Sequence, residues 1–203
     1  MYKKYIGKIY DKEVYIVDGS ELRKKKQFAD FLDSAMHGTQ WRQTLAGVPE
    51  NEIWIADEID DDEKKAEIAG FWKYLKLLNK GTDPESAYKL SRSSENRVRE
   101  KYNTFTRDDI EIKTLATIKG ITIKLVNGKA VRNLIHTDFV QGGHDKFYKY
   151  IPEKTIWIDN TLNKNEYVPV IMHEYVERFL MKSGHSYNVA HEIATKIEYG
   201  DKK

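Results

Sequence analysis

The 203-residue chain contains no cysteine. That excludes a disulfide scaffold, a thiolate nucleophile and any cysteine-ligated zinc or iron–sulfur centre. Long apolar runs are also missing. No stretch approaches the roughly 18 residues of a membrane span, and the opening Met1-Tyr2-Lys3-Lys4-Tyr5-Ile6-Gly7-Lys8 lacks the apolar segment of a secretory signal. These absences set the expectation of a soluble cytoplasmic protein with no membrane partner. Charge of one sign is scarce as well: 34 basic residues face 32 acidic ones, a net charge of +2. A protein coating phosphates through bulk positive charge is therefore not expected. There is no glycine-rich phosphate loop and no G-x-S-x-G nucleophile elbow. What is present, 40% hydrophobic and 12% aromatic residues, suffices for a substantial core and argues against wholesale disorder.

The chain repeats itself. Pro49-Glu50-Asn51-Glu52-Ile53-Trp54-Ile55 recurs as Pro152-Glu153-Lys154-Thr155-Ile156-Trp157-Ile158, 103 residues later. At that offset, residues 49–91 hold 10 identities in 43 positions, several times the roughly one in sixteen expected of unrelated sequences. Upstream, Val14-Tyr15-Ile16-Val17-Asp18-Gly19 resembles Ile123-Lys124-Leu125-Val126-Asn127-Gly128 at an offset of 109, so the first copy carries about six extra residues. Asp30-Phe31 and Asp138-Phe139 match within that interval.

Each copy reads as α+β. Runs 14–17 and 121–126 predict strands ending in an Asp-Gly or Asn-Gly turn, and the Ile-Trp-Ile segments predict short apolar strands. Helices are predicted over about 62–79 and 165–182. Capping-box spacing at Asp60–Glu63 and Asn163–Glu166 opens them, and Gly81 and Gly184 stop them; Pro169 fits only in a first turn. Further helices are predicted from Asp83-Pro84 and from Ser186. The expected architecture is a duplicated strand–strand–helix–helix unit, two halves packed as one compact protein. Residues 1–91 form a degenerate N-terminal repeat, 92–113 a linker with some helical character, and 114–203 a C-terminal repeat that carries the chemistry.

On the predicted second-copy helix, His173 and Glu177 lie one turn apart on the same face, where an imidazole and a carboxylate can share a divalent ion. Glu174 lies about 100° around, placed to polarise a bound water without being a ligand. After the Gly184 turn, Tyr187, Ala190, His191, Ala194 and Ile197 form one stripe, which aims His191 at the partner helix. His173, Glu177 and His191 would then give three ligands and leave one position for water. The first copy is an internal control: Gly70, Phe71, Tyr74 and Tyr88 stand where His173, Glu174, Glu177 and His191 stand in the second. Aromatic residues at those positions imply that they face inward, where unpaired carboxylates are costly.

His173-Glu174-Tyr175-Val176-Glu177 resembles a variant of the zincin metallopeptidase helix, H-E-x-x-H, with glutamate in the second ligand position. The resemblance implies a zinc-dependent hydrolase acting on a peptide or protein substrate. In its gluzincin branch the third ligand comes from a later helix, a place His191 would take. It also implies that a strand beside the helix binds extended substrate, with Ile156–Ile158 as the analogue. The wider set of Gly142-Gly143-His144, Ile156-Trp157-Ile158 and His173 to His191 resembles phage-type proteins. That resemblance implies a viral or mobile-element origin, with host cytoplasm as the location.

The glycines of Gly142-Gly143-His144 permit a tight backbone, so His144 and Tyr148 could reach a substrate or orient a ligand. Glu174 and Arg178 have the spacing of an ion pair. His136 and His185 read as loop or helix-boundary residues, and His37 carries no role. Two other functions are open: a non-enzymatic interaction protein whose polar cluster is structural, and a nucleic-acid-binding accessory protein. For the latter, Lys24-Lys25-Lys26 and Arg92, Arg97, Arg99 and Lys101 could contact phosphates. Acidic residues interleave with them throughout, Asp60-Asp61-Asp62 included, so a solvated surface is the better reading.

Overall fold

The computed structural model describes residues 3–29, 31–36 and 47–199; Asp30 and His37 lie outside them. The chain divides into two compact units between Thr104 and Phe105. The first contains β1 (Lys3–Ile9), β2 (Lys12–Val17), α1 (Gly19–Arg23), β3 (Ser34–Met36), β4 (Glu52–Ala56), α2 (Asp61–Leu78) and α3 (Pro84–Tyr102). The second contains β5 (Glu111–Ile118), β6 (Ile121–Val126), α4 (Gly128–Leu134), β7 (Gly142–His144), β8 (Thr155–Asp159), α5 (Tyr167–Lys182) and α6 (Tyr187–Tyr199).

Both sheets have one topology, β1-β2-β4-β3 and β5-β6-β8-β7. In each, an antiparallel hairpin leads to a parallel pair, and a short antiparallel strand closes the far side. The α+β class and the internal duplication are thus present in the fold itself. Register makes the match residue by residue. Val14 pairs with Ile53 and Met36 with Ile53, as Ile123 and His144 pair with Ile156. Five of the six extra residues of the first copy therefore fall between Met36 and Ile53.

β4 and β8 are buried at every position, as a strand covered on both faces of its sheet is. This corrects the expectation for Ile156–Ile158. β8 lies between β6 and β7 and has no free edge; β7 is the outer strand, and α5 packs against it. The Asp-Gly and Asn-Gly turns are also corrected. Asp18 and Asn127 cap short helices instead, accepting hydrogen bonds from Glu21 N at 2.8 Å and Ala130 N at 3.1 Å.

α2 and α3 start as their caps predict, whereas the Asn163–Glu166 box opens a short 3-10 turn, Lys164–Glu166, that leads into α5. The Asp60 side chain accepts from Asp62 N and Glu63 N, and Pro169 sits in the first turn of α5. Gly81 and Gly184 take the left-handed conformation after α2 and α5, φ +82° and +97°, which glycine adopts without steric cost. The expected linker over 92–113 is different: α3 continues to Tyr102, and β5 begins at Glu111. The helix persists because its inward face is polar and paired. Arg99 bonds Glu63 at 3.0 Å, Glu67 at 2.8 Å and Glu95 at 2.9 Å, while Arg92 reaches Glu95 at 2.5 Å. Arg92 and Arg99 are thereby committed inside the first unit. No helix among the described residues is long and apolar enough to cross a membrane.

Candidate metal centre

In the second unit, α5 and α6 form an antiparallel hairpin across the Gly184 turn, so residues near its middle face one another. Three predicted side chains meet there. Glu177 Oε2 lies 2.9 Å from His191 Nδ1 and 3.5 Å from His173 Nε2, and the two ring nitrogens are 3.2 Å apart. Ligand atoms roughly 2.0–2.1 Å from a tetrahedral ion stand about 3.3 Å from each other. The triangle therefore has the dimensions of three corners of such a site. His173 and Glu177 are buried, while the His191 side chain keeps 30% of its exposure and marks the side open to solvent.

Electrostatics at the cluster are strongly coupled. Burial opposes charge on Glu177, but hydrogen bonds from His144, His173 and His191 outweigh it and hold its carboxyl far below the usual range. Burial would also lower the His173 pKa, yet hydrogen bonds to Glu177 and Glu198 raise it to about 10. The pull that keeps a proton on His173 is equally a pull for a metal cation. Glu174 behaves oppositely: burial, then the Glu177 charge, push it up to about 7 against the attraction of the three imidazoles. It is half-buried, and its carboxylate makes no hydrogen bond among the described residues. A carboxylate in that state can accept a proton near neutral pH.

The first unit confirms the inward orientation. Gly70, Phe71 and Tyr74 are buried at the positions of His173, Glu174 and Glu177. Arg178 does not pair with Glu174. It makes a two-pronged bond to Asp145, Nε to Oδ1 at 2.5 Å and Nη2 to Oδ2 at 3.1 Å. A carboxylate presenting two oxygens to the guanidinium fork is the stronger partner.

His144 is fully buried on β7, with Nε2 2.9 Å from Glu177 Oε1 and Nδ1 accepting from Lys146 N at 3.1 Å. It meets Glu177 at Oε1, the oxygen not bonded to His191, and is closed to solvent. Tyr148 is half-buried, its ring edge-on to Phe147 with centroids 4.6 Å apart. Burial, then the Glu174 charge, push its pKa well above the usual phenol value, so the hydroxyl stays protonated. A Cβ on Gly143 would lie 2.6 Å from the Tyr148 ring, and one on Gly142 3.0 Å from Trp157 O and 3.2 Å from Glu174 Cγ. The two glycines are what lets strand, helix and tyrosine close on one another. His136 lies among the rings of Tyr148 and Tyr150, and His185 is exposed, 3.2 Å from Leu180 O; neither joins the cluster.

Two further side chains take part: Glu198, which the sequence does not mark, and Tyr187, which it places on the inward stripe without a role. Glu198, in the last turn of α6, bonds His173 Nδ1 at 2.9 Å. A carboxylate on one imidazole nitrogen leaves the other free to face a cation, an arrangement common around ligating histidines. Tyr187 stacks between His191 (centroids 5.4 Å) and Phe147 (4.0 Å) and steadies the most exposed member of the triad. The i,i+25 separation of Glu198 from His173 has meaning only once the helix hairpin has a register. Comparison with protein-family models, curated proteins and solved structures found no match to this chain.

Proposed function

We propose that the second unit holds one divalent ion, zinc on the chemistry of its donors, and uses it to hydrolyse a peptide bond. The observation that carries this reading is the triangle of His173 Nε2, His191 Nδ1 and Glu177 Oε2, with edges of 2.9–3.5 Å. Two imidazoles and a carboxylate with a solvent-facing side are a catalytic zinc donor set rather than a closed structural one. When bound, the ion supplies a Lewis acid and a water acidic enough to ionise near neutral pH.

The chain's own groups divide the remaining work. Glu198 holds the His173 ring by its Nδ1 proton. Glu174 takes up a proton on its carboxylate, a role supported by its lack of hydrogen bonds and its raised pKa. The Tyr148 hydroxyl, kept protonated by burial, is the donor for developing negative charge.

The test is metal analysis of protein purified without chelator or nickel resin. About one zinc per chain is expected, lost in His173→Ala and Glu177→Ala. Glu174→Gln should retain the ion while losing peptide cleavage by about 100-fold or more. No metal in the wild type, with unchanged stability in both alanine variants, would overturn the proposal. A second reading, a non-enzymatic binding protein, is favoured by exposed Val168, Met172 and Phe179 on α5. On that reading the alanine variants lose stability without any metal having been present.

A further inference from the structure

The polar cluster offers two overlapping sets of donors, His173–Glu177–His191 and His144–Glu174–Glu177, which share Glu177. A carboxylate bridging two ions would use both. The hydrogen bonding of His144 decides between one ion and two. Its Nδ1 accepts the backbone N–H of Lys146, so that nitrogen carries no proton. In a neutral imidazole the proton must then sit on Nε2, which faces Glu177 Oε1 at 2.9 Å. A nitrogen that donates a proton cannot at the same time donate its lone pair to a metal.

We infer that His144 is a positioning residue: its Nε2–H holds Oε1 of Glu177, so that Oε2 alone faces the two ligating imidazoles. The inference rests on the metal-site reading and adds how that site is kept mononuclear and three-liganded. Glu177 held by one oxygen leaves a coordination position for water, whereas a carboxylate free to turn can chelate through both oxygens and fill it.

The neighbouring residues keep His144 at the required depth. Asp145 and Arg178, each next in sequence to a member of the pair, make the two-pronged bond that fastens the end of β7 to α5. Both side chains are almost fully enclosed, at 2% and 6% exposure. The last residue of the strand and the one that follows it thus grip two consecutive residues of the helix. In the first unit, Met36 occupies the register position of His144 and Tyr74 that of Glu177. There the grip is replaced by apolar packing, with no carboxylate to orient. The same comparison indicates that methionine fits the strand at this place.

His144→Met and His144→Gln, compared with the wild type, test the inference. Glutamine can still donate an N–H to Glu177; methionine cannot. Zinc affinity, measured against a competing chelator, should fall by about 10–100-fold in His144→Met and recover in His144→Gln. With cobalt in place of zinc, the visible bands should weaken in the methionine variant as coordination rises above four, and return with glutamine. Independently of any variant, nitrogen NMR of the zinc-loaded wild type should show His144 protonated on Nε2. Unchanged affinity and cobalt spectrum in His144→Met would overturn the inference while leaving the metal site standing. A metal-bound Nε2 on His144, with two ions per chain, would also overturn it. A wild type that binds no zinc would overturn both this and the reading on which it rests.

Discussion

Asp145 and Arg178 show what one buried pair contributes at the residue scale. Burial works against the Asp145 charge, but the Arg178 guanidinium and the Lys154 backbone N–H overcome it and hold the carboxyl below its ordinary value of 3.8. A depressed folded pKa stabilises the protein fully above the ordinary value, and that stability is lost as pH falls through the lowered one. Asp145→Asn leaves the guanidinium enclosed without its counter-charge, which costs about 3 kcal/mol at pH 7. Urea denaturation at pH 7 and pH 3 should show the gap between variant and wild type narrowing at the lower pH. A gap of equal size at both would mean that the charge of Asp145 contributes nothing. Of the contacts around the centre, those legible beforehand were the ones a helix relates by its own period: His173 with Glu177, and His191 across a tight turn; His144 stood out as a residue able to orient a ligand, but without its partner. Asp145, His144 and Glu198 lie 25–33 residues from their partners, where only the packed structure decides who meets whom.

Among the elements, visibility followed the origin of the signal. α2 and α5 announce themselves by caps and glycine stops, and β4 and β8 by unbroken apolar runs. β1 and β5 carry no such mark. They are outer strands exposed along most of their length, and lysines on a sheet edge serve to discourage pairing with other chains. α3 was cut short for a related reason, since its buried positions include Ser91, Glu95 and Arg99 and an apolar pattern cannot reveal a polar inward face. That face is consequential for stability. Arg99 is the guanidinium that Glu63, Glu67 and Glu95 all bond. Arg99→Met should therefore cost roughly 3–5 kcal/mol, because three buried carboxylates lose it at once. Chemical denaturation of the full chain, followed by tryptophan fluorescence, to which the first unit contributes Trp41, Trp54 and Trp72, would measure it. A loss below 1 kcal/mol would show the network to be replaceable.

For the whole molecule, duplication means that each half is a variant of the other. Between α2 and α3 the buried positive charge is covalent, an arginine; between α5 and α6, on the proposed reading, two histidines and a glutamate would hold a charge that can leave. Another pair of sites records how the halves drifted apart. Arg23 Nη1 donates to Phe31 O at 2.9 Å and Arg132 Nη1 to Phe139 O at 3.1 Å, so arginine and carbonyl occupy matching places. Their acids do not. Glu58 pairs with Arg23, but its counterpart Thr161 only touches Arg132 at 3.2 Å, and the carboxylate comes from Asp159, 2.5 Å away, where the first copy has Ala56. An ancestral arginine kept its carbonyl while the negative charge changed seats by two residues along the chain. The two seats should then still be interchangeable. Asp159→Ala should cost about 3–5 kcal/mol by stranding Arg132. Adding Thr161→Glu should restore most of that loss in a denaturation experiment, returning to one half of the protein the solution its sister still uses.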